Sequence, residues 1–124
     1  MKFTLAKTYR FWWPVEVRMP DPDNPGRVVK QTLKIQFEPK PRDEVIAAQE
    51  HYDTLNTARE RADHEREQLL AVVKNWDDVV DEDGGAIAFS AEAFDQALQT
   101  SWFRTAVYAA YADCLNGNEV RLGN

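Results

Sequence analysis

Two alternating runs joined by a proline-rich turn most constrain what this chain can fold into. From Tyr9 to Met19, the residues Phe11, Trp13, Val15, Val17 and Met19 alternate with Arg10, Trp12, Pro14, Glu16 and Arg18. Period two with mostly polar partners is the pattern of a strand with one buried face. Pro20-Asp21-Pro22-Asp23-Asn24-Pro25-Gly26 follows as a dense turn signal. A second run then sets Val29, Leu33, Ile35 and Phe37 against Lys30, Thr32, Lys34, Gln36 and Glu38. The expectation over residues 1–40 is a β-hairpin with one apolar face. Pro14 has no N–H for a ladder, which places the first strand on an edge or interrupts it there. A lone hairpin is marginal in water, so its apolar face must pack on helices or on another subunit.

Pro39-Lys40-Pro41 ends the second strand, and Asp43 is the expected N-cap of a helix. Apolar residues then recur every three or four positions: Val45, Ala48, Tyr52, Leu55, Ala62, Leu69, Val73, Trp76 and Val80. Arg59 and Arg66 fill two positions of that seam, so Thr57 to Gln68 forms a polar middle between two amphipathic ends. One long helix over 42–80 is the favoured expectation, and two helices with a break near Asn56-Thr57 the alternative. The segment Asp81-Glu82-Asp83-Gly84-Gly85 breaks the helix, and Ile87 and Phe89 anchor the loop after it. Ser90 is a good N-cap for a short helix to about Gln99, with Phe94, Ala97 and Leu98 inward. Thr100 or Ser101 caps a last helix with Phe103, Ala106, Val107, Ala110, Tyr111, Cys114 and Leu115 on its apolar face. Asn116-Gly117 ends that helix in the left-handed manner, and the tail Asn118–Asn124 is expected to fray. The 90–116 region is thus a helix pair, and the whole is one α+β domain, 1–124, with the hairpin packed on a mainly helical body.

The length of 124 residues allows one domain that buries roughly 60–70% of its unfolded surface. Cys114, the single cysteine, cannot form an internal disulfide. The first seven residues lack the apolar run of a secretion signal, and no stretch reaches the ~20 apolar residues of a membrane span. Fifteen Lys and Arg against twenty-one Asp and Glu give a formal net charge of −6. The densest basic stretch, Arg59, Arg61 and Arg66, is interleaved with Glu60, Asp63, Glu65 and Glu67. That cancels the field nucleic-acid binding requires.

Catalytic signals are nearly empty. Asp77, Asp78, Asp81, Glu82 and Asp83 precede Gly84 as in a calcium loop. Aligning Gly84 with that loop's glycine puts Val79 at the first ligand position and Ser90 at the closing glutamate, so the strongest ligand is lost. A solvated turn accounts for the acids better than a metal site. His51 and His64 are expected as exposed helix residues without metal-ligand spacing. Cys114 is expected as a small core residue. No zinc, phosphate-loop or nucleophile-elbow motif occurs. The chain therefore points to a binding protein without a cofactor, not an enzyme.

The aromatics carry more information. Trp12 and Trp13 are adjacent on a strand and must point to opposite faces. Trp102 begins the last helix, off its apolar stripe. Trp12 and Trp102 are the candidate partner contacts, because aromatic anchors dominate many interfaces.

Leu69-Leu70-Ala71-Val72-Val73-Lys74-Asn75-Trp76-Asp77-Asp78-Val79-Val80-Asp81-Glu82-Asp83-Gly84 is followed by Ile87-Ala88-Phe89-Ser90, then Phe94, Leu98 and Val107-Tyr108-Ala109-Ala110-Tyr111. This pattern resembles the tail assembly chaperones of long-tailed bacteriophages. There a helix carries the Trp segment, and a short helix, a final helix and a terminal Asn (Asn124 here) follow. Asn75 and Asp77 stand where the family usually has Gly beside the Trp. The resemblance covers Leu69 to Asn124. It implies core or motif roles for Trp76, Phe89, Phe94, Phe103, Val107 and Tyr111. It also implies a non-structural protein of the host cytoplasm, absent from the mature virion, that binds the tape measure protein and keeps it soluble while tail tube subunits assemble around it. In many such phages a frameshifted extension recruits the tail tube protein. An edge-like hairpin further suggests self-association. The rival expectations are a tail-completion or neck adaptor retained in the virion, and a metal-dependent enzyme using the Asp77–Asp83 acids.

Overall fold

The structure, a computed structural model, describes residues 1–120; the end of the tail and the Asn124 of the resemblance lie outside the described residues. The fold is mixed α+β, with a three-stranded antiparallel sheet and four helices. Strands β1 (Phe11–Pro20) and β2 (Val28–Phe37) form the hairpin, with Val15 facing Leu33 and Trp13 facing Ile35. Alternation puts Val15, Val17, Leu33, Ile35 and Phe37 on one face, where all are buried. The connecting turn is closed on Asp21, whose carboxylate accepts from the Asp23 N–H and the Asn24 amide, each at 2.9 Å. Gly26 supplies the left-handed residue at φ +84°. β1 is an edge strand, so Pro14 is accommodated there.

The favoured single helix over 42–80 is not what forms. Helix α1 (Arg42–Asp53) stops at Thr54, and α2 (Ala58–Val72) starts after Thr57. Thr57 is the N-cap of α2: its hydroxyl accepts from the Glu60 N–H at 3.0 Å and donates to the Glu60 carboxylate at 2.9 Å. The break thus falls at the alternative position, because Asn56-Thr57 followed by Glu60 is a helix start. Asp43 is not the cap of α1; Pro41 holds that place without a side-chain bond, and Asp43 and Glu44 sit in the first turn, facing the positive end of the helix. Arg66, an anomaly on the predicted seam, reaches out of α2 to Asp63 at 3.3 Å and to Asp95 at 3.2 Å.

The larger departure lies at residues 73–80. Val73–Asp77 is a third strand, β3, antiparallel to β2, and Trp76 stands on it, not on a helix. Ile35 faces Trp76, Gln36 faces Asn75, but Phe37 faces Val73, so Lys74 is an extra residue in a β-bulge. The bulge lets Val73 and Trp76, three apart, both point into the core. A spacing of three is also helical spacing, which is why periodicity favoured a helix here. Asp78 at φ 64° ends the strand.

This register carries a prediction. Deleting Lys74 leaves Val73 and Trp76 two apart, the ordinary strand period, so the variant should fold with a loss of only about 1 kcal/mol, mostly the bulge's local fit and a weak ion pair. On a helix the same deletion would rotate everything downstream by about 100° and destroy the core. Chemical denaturation of the deletion variant separates the two; a loss of cooperative unfolding would refute the bulged strand.

Helix α3 (Ala91–Leu98) is capped by Ser90, whose hydroxyl accepts from the Ala93 N–H at 3.0 Å. Helix α4 (Ser101–Leu115) follows after Thr100 and packs across β1. It ends on Gly117 at φ 71°, with the Asn118 N–H returning to the Asp113 carbonyl at 2.9 Å, a Schellman closure. One core results, in which the Phe37 ring lies 5.1 Å from that of Tyr111 on α4, tilted by 44°.

Candidate functional site

The residues of the Trp motif converge into an aromatic chain. Trp76 meets Phe89 edge-on at 5.4 Å, Phe89 lies 6.0 Å from Phe94, and Phe94 lies 6.0 Å from Phe103 in a T-shaped contact. The Trp76 indole N–H donates to the Ile87 carbonyl at 2.8 Å, which fastens the loop after β3 to the sheet. Phe94 and Val107 are fully buried and Trp76 nearly so, while Phe89, Phe103 and Tyr111 pack on the core with one side open. These residues build the scaffold.

Trp12 and Trp102 are both exposed, at 44% and 41% of their surface. The structure does not bring them together. Trp12 stands on the outer face of the sheet, opposite Trp13, which packs against the core. Trp102 borders a groove of about 380 Å³ on the inner side, where Val17, Met19, Leu33, Trp76 and Val80 meet the α3–α4 corner.

The acidic loop is tied up by its own backbone. One oxygen of Asp81 accepts from the N–H groups of Asp83 and Gly85, each at 2.9 Å, and the Asp81 N–H donates to the Gly85 carbonyl at 2.8 Å. Among the described residues, no group of three His, Cys, Asp or Glu is placed to hold a metal ion. No helix among them is long and apolar enough to cross a membrane.

His64 is not the exposed residue expected from its polar surroundings. It is buried between α1 and α2, and its Nε2–H donates to the Ala48 carbonyl at 3.0 Å. His51, on α1, lies 5.1 Å away ring to ring. No sequence spacing signals this pair, because the two helices had first to fold back on each other. Cys114 donates its S–H to the Tyr111 carbonyl at 3.0 Å, and burial pushes its thiol pKa up. Less thiolate at a given pH means slower chemistry. Alkylation of Cys114 at mildly alkaline pH should therefore run more slowly in the folded protein than in denaturant. Equal rates would show the thiol to be free.

An apolar opening lies under α1. Val45, Ala48 and Tyr52 of α1 face Leu69 of α2 and Tyr108 and Tyr111 of α4 across a cleft of about 440 Å³. Partial burial raises the pKa of both α4 tyrosines, so their hydroxyls stay neutral. Helix α1 contains no buried residue, and Val45 and Ile46 remain exposed. It meets α2 through the His64 bond and the rings of His51 and Tyr52, 5.1 and 6.0 Å from the His64 ring. Its flanks are tied by a bond from the Arg61 guanidinium to the Leu55 carbonyl at 3.2 Å and one from Lys40 to Gln68 at 3.1 Å. A helix with so little burial is able to open locally at low cost. Open or closed, the cleft has the apolar lining to receive an apolar stripe. No family model, curated protein or solved structure matches this chain.

Proposed function

We propose that this protein is a tail assembly chaperone of a long-tailed bacteriophage: it binds the tape measure protein, keeps it soluble and helps tail tube subunits assemble around it. The observation that carries this reading is the apolar cleft beneath α1, a helix that buries none of its own residues. A tape measure is a long helical chain with apolar stripes, and an amphipathic helix docks by setting anchors three and four residues apart into such a cleft. The sequence pattern from Leu69 to Tyr111 is the second support, and the family it resembles works this way. Its function is non-enzymatic and needs no cofactor. The protein acts in the host cytoplasm and leaves before the virion is complete. A frameshifted longer product would bring in the tail tube protein, and copies of the chain associate along one client, so that many weak contacts add up. The hairpin and its third strand serve as the rigid plate on which the helical body carries the cleft.

Co-expression with the tape measure protein of the same genome tests this. The client should remain soluble and co-purify, and charged replacements in the cleft, Val45→Glu and Tyr108→Glu, should reduce its recovery about tenfold or more, the effect of losing an interface anchor. Both positions are exposed, so folding should be unchanged. A tape measure that aggregates equally with and without this protein overturns the reading. Stable presence of the protein in purified virions would favour a neck or tail-completion adaptor instead.

A further inference from the structure

Residues 1–10 form no helix or strand, and every one of them is exposed. Within this arm Phe3, Leu5 and Tyr9 stand 89%, 90% and 70% exposed. They share the odd-numbered parity of the apolar face of β1, with Lys7 the one polar residue at an odd position between Phe3 and Tyr9. Leaving such side chains in water is unfavourable, and an alternating pattern is what a strand-like segment uses to lie in a groove. The arm carries Lys2, Lys7 and Arg10 and no acidic residue; Arg10 is paired with Glu38 of its own body at 2.6 Å, so the charge the arm can offer a partner is that of Lys2 and Lys7.

The groove bordered by Val17, Met19, Leu33, Trp76, Val80 and Trp102 has the opposite character at its rim. Of the five acids Asp77, Asp78, Asp81, Glu82 and Asp83, Asp78 lines the groove and is paired with Lys34 at 3.2 Å. The other four flank Val79 and Val80 in the chain, with no basic residue among the seven. Val80 and Trp102 leave apolar surface open at its mouth. An apolar, basic arm and an apolar groove with an acidic rim are complementary in both shape class and charge.

The arm joins the body at Phe11, whereas the groove begins at Val17, six strand residues or about 20 Å away. To reach its own groove the arm would have to fold back along the open edge of β1, where Pro14 withholds an N–H. We infer that the arm of one copy occupies the Trp102 groove of a second copy. Arm and groove are different surfaces, so the contact is heterologous: each copy offers one of each, and the assembly extends beyond two into a ring or filament. Within the proposed function this supplies the self-association and rests on that reading only there. The test needs no client, so its failure leaves the client-binding result standing.

The experiment is sedimentation velocity on the full chain and two variants. One carries Phe3→Ser with Leu5→Ser; these positions touch no core, so the body cannot be harmed. The other carries Val80→Arg in the groove. The full chain should grow past a dimer with concentration, and more weakly as salt screens the arm from the acidic rim. Each variant alone should associate about tenfold or more weakly, as expected when an anchor is lost. Mixed, they should form a one-to-one dimer and stop, because the only intact arm then meets the only intact groove. A full chain that stays monomeric or stops at two, an arm variant that associates as the full chain does, or a mixture that remains monomeric would each overturn the inference. A Val80→Arg protein that has lost cooperative unfolding is replaced in the mixture by Trp102→Arg, with the same outcomes.

Discussion

Replacing Trp76 with alanine should lower stability by about 3–5 kcal/mol, the usual cost of truncating a buried aromatic. That is a large share of the roughly 5–15 kcal/mol by which a domain of this kind is held together. Trp76 is 7% exposed, touches Phe89 and Phe94, and donates to the Ile87 carbonyl. Alanine empties the space between β3 and α3 and frees the loop that carries Phe89. Trp76→Phe separates the two contributions: it keeps most of the ring packing but loses the donor, and should cost about 1–2 kcal/mol. The Ile87 residue is exposed, so its carbonyl can turn to water and the loss stays near the lower figure. Denaturant titration measures both. An alanine variant within 1 kcal/mol of the parent would mean that Trp76 does not face the core, and the bulged register of β3 would fall with it.

The second large effect belongs to α4. Val107 is fully buried within the hydrophobic core, where α4 crosses the sheet. Val107→Asp should remove most or all of the folding free energy, since burying an unpaired carboxylate costs several kcal/mol even after its pKa rises. The sign of the pH dependence follows. The new carboxyl has a folded pKa raised above its unfolded value, so the penalty is least below the unfolded pKa of about 4 and grows as pH rises above it. Thr105→Asp, two residues away on the exposed side of α4, should change stability by less than about 0.5 kcal/mol. Circular dichroism melts of the two variants decide the matter. Equal melting temperatures would show that α4 does not present the Val107 face to the sheet.

Much of this fold was legible without coordinates, for identifiable reasons. Alternation in two runs around a Pro, Asp and Gly turn has one structural solution, and the hairpin with Val15, Val17, Leu33, Ile35 and Phe37 inward follows from it. Ser90 and Asn116-Gly117 are local signals whose hydrogen bonds close within a few residues, so the ends of α3 and α4 could be read directly. That Trp12 and Trp13 lie on opposite faces follows from adjacency, and the alternation with Val15 and Val17 puts Trp13 with the inward set.

The segment from Val73 to Val80 could not be read this way. Its apolar spacing of three suits a helix face or a bulged strand equally, and the choice depends on Phe37 and Ile35, some forty residues earlier, being available as ladder partners. His64 was misjudged for the same reason: its burial depends on α1 folding back over α2, a contact with no local signature. The cleft beneath α1 and the groove beside Trp102 are likewise gaps between elements distant in sequence. Residue order therefore determined which side chains lie inward within each element, because that depends on period and caps alone. Which elements meet, where the third strand joins, and what openings remain between them was decided by long-range packing, where the free energy of burial is shared among residues far apart in the chain.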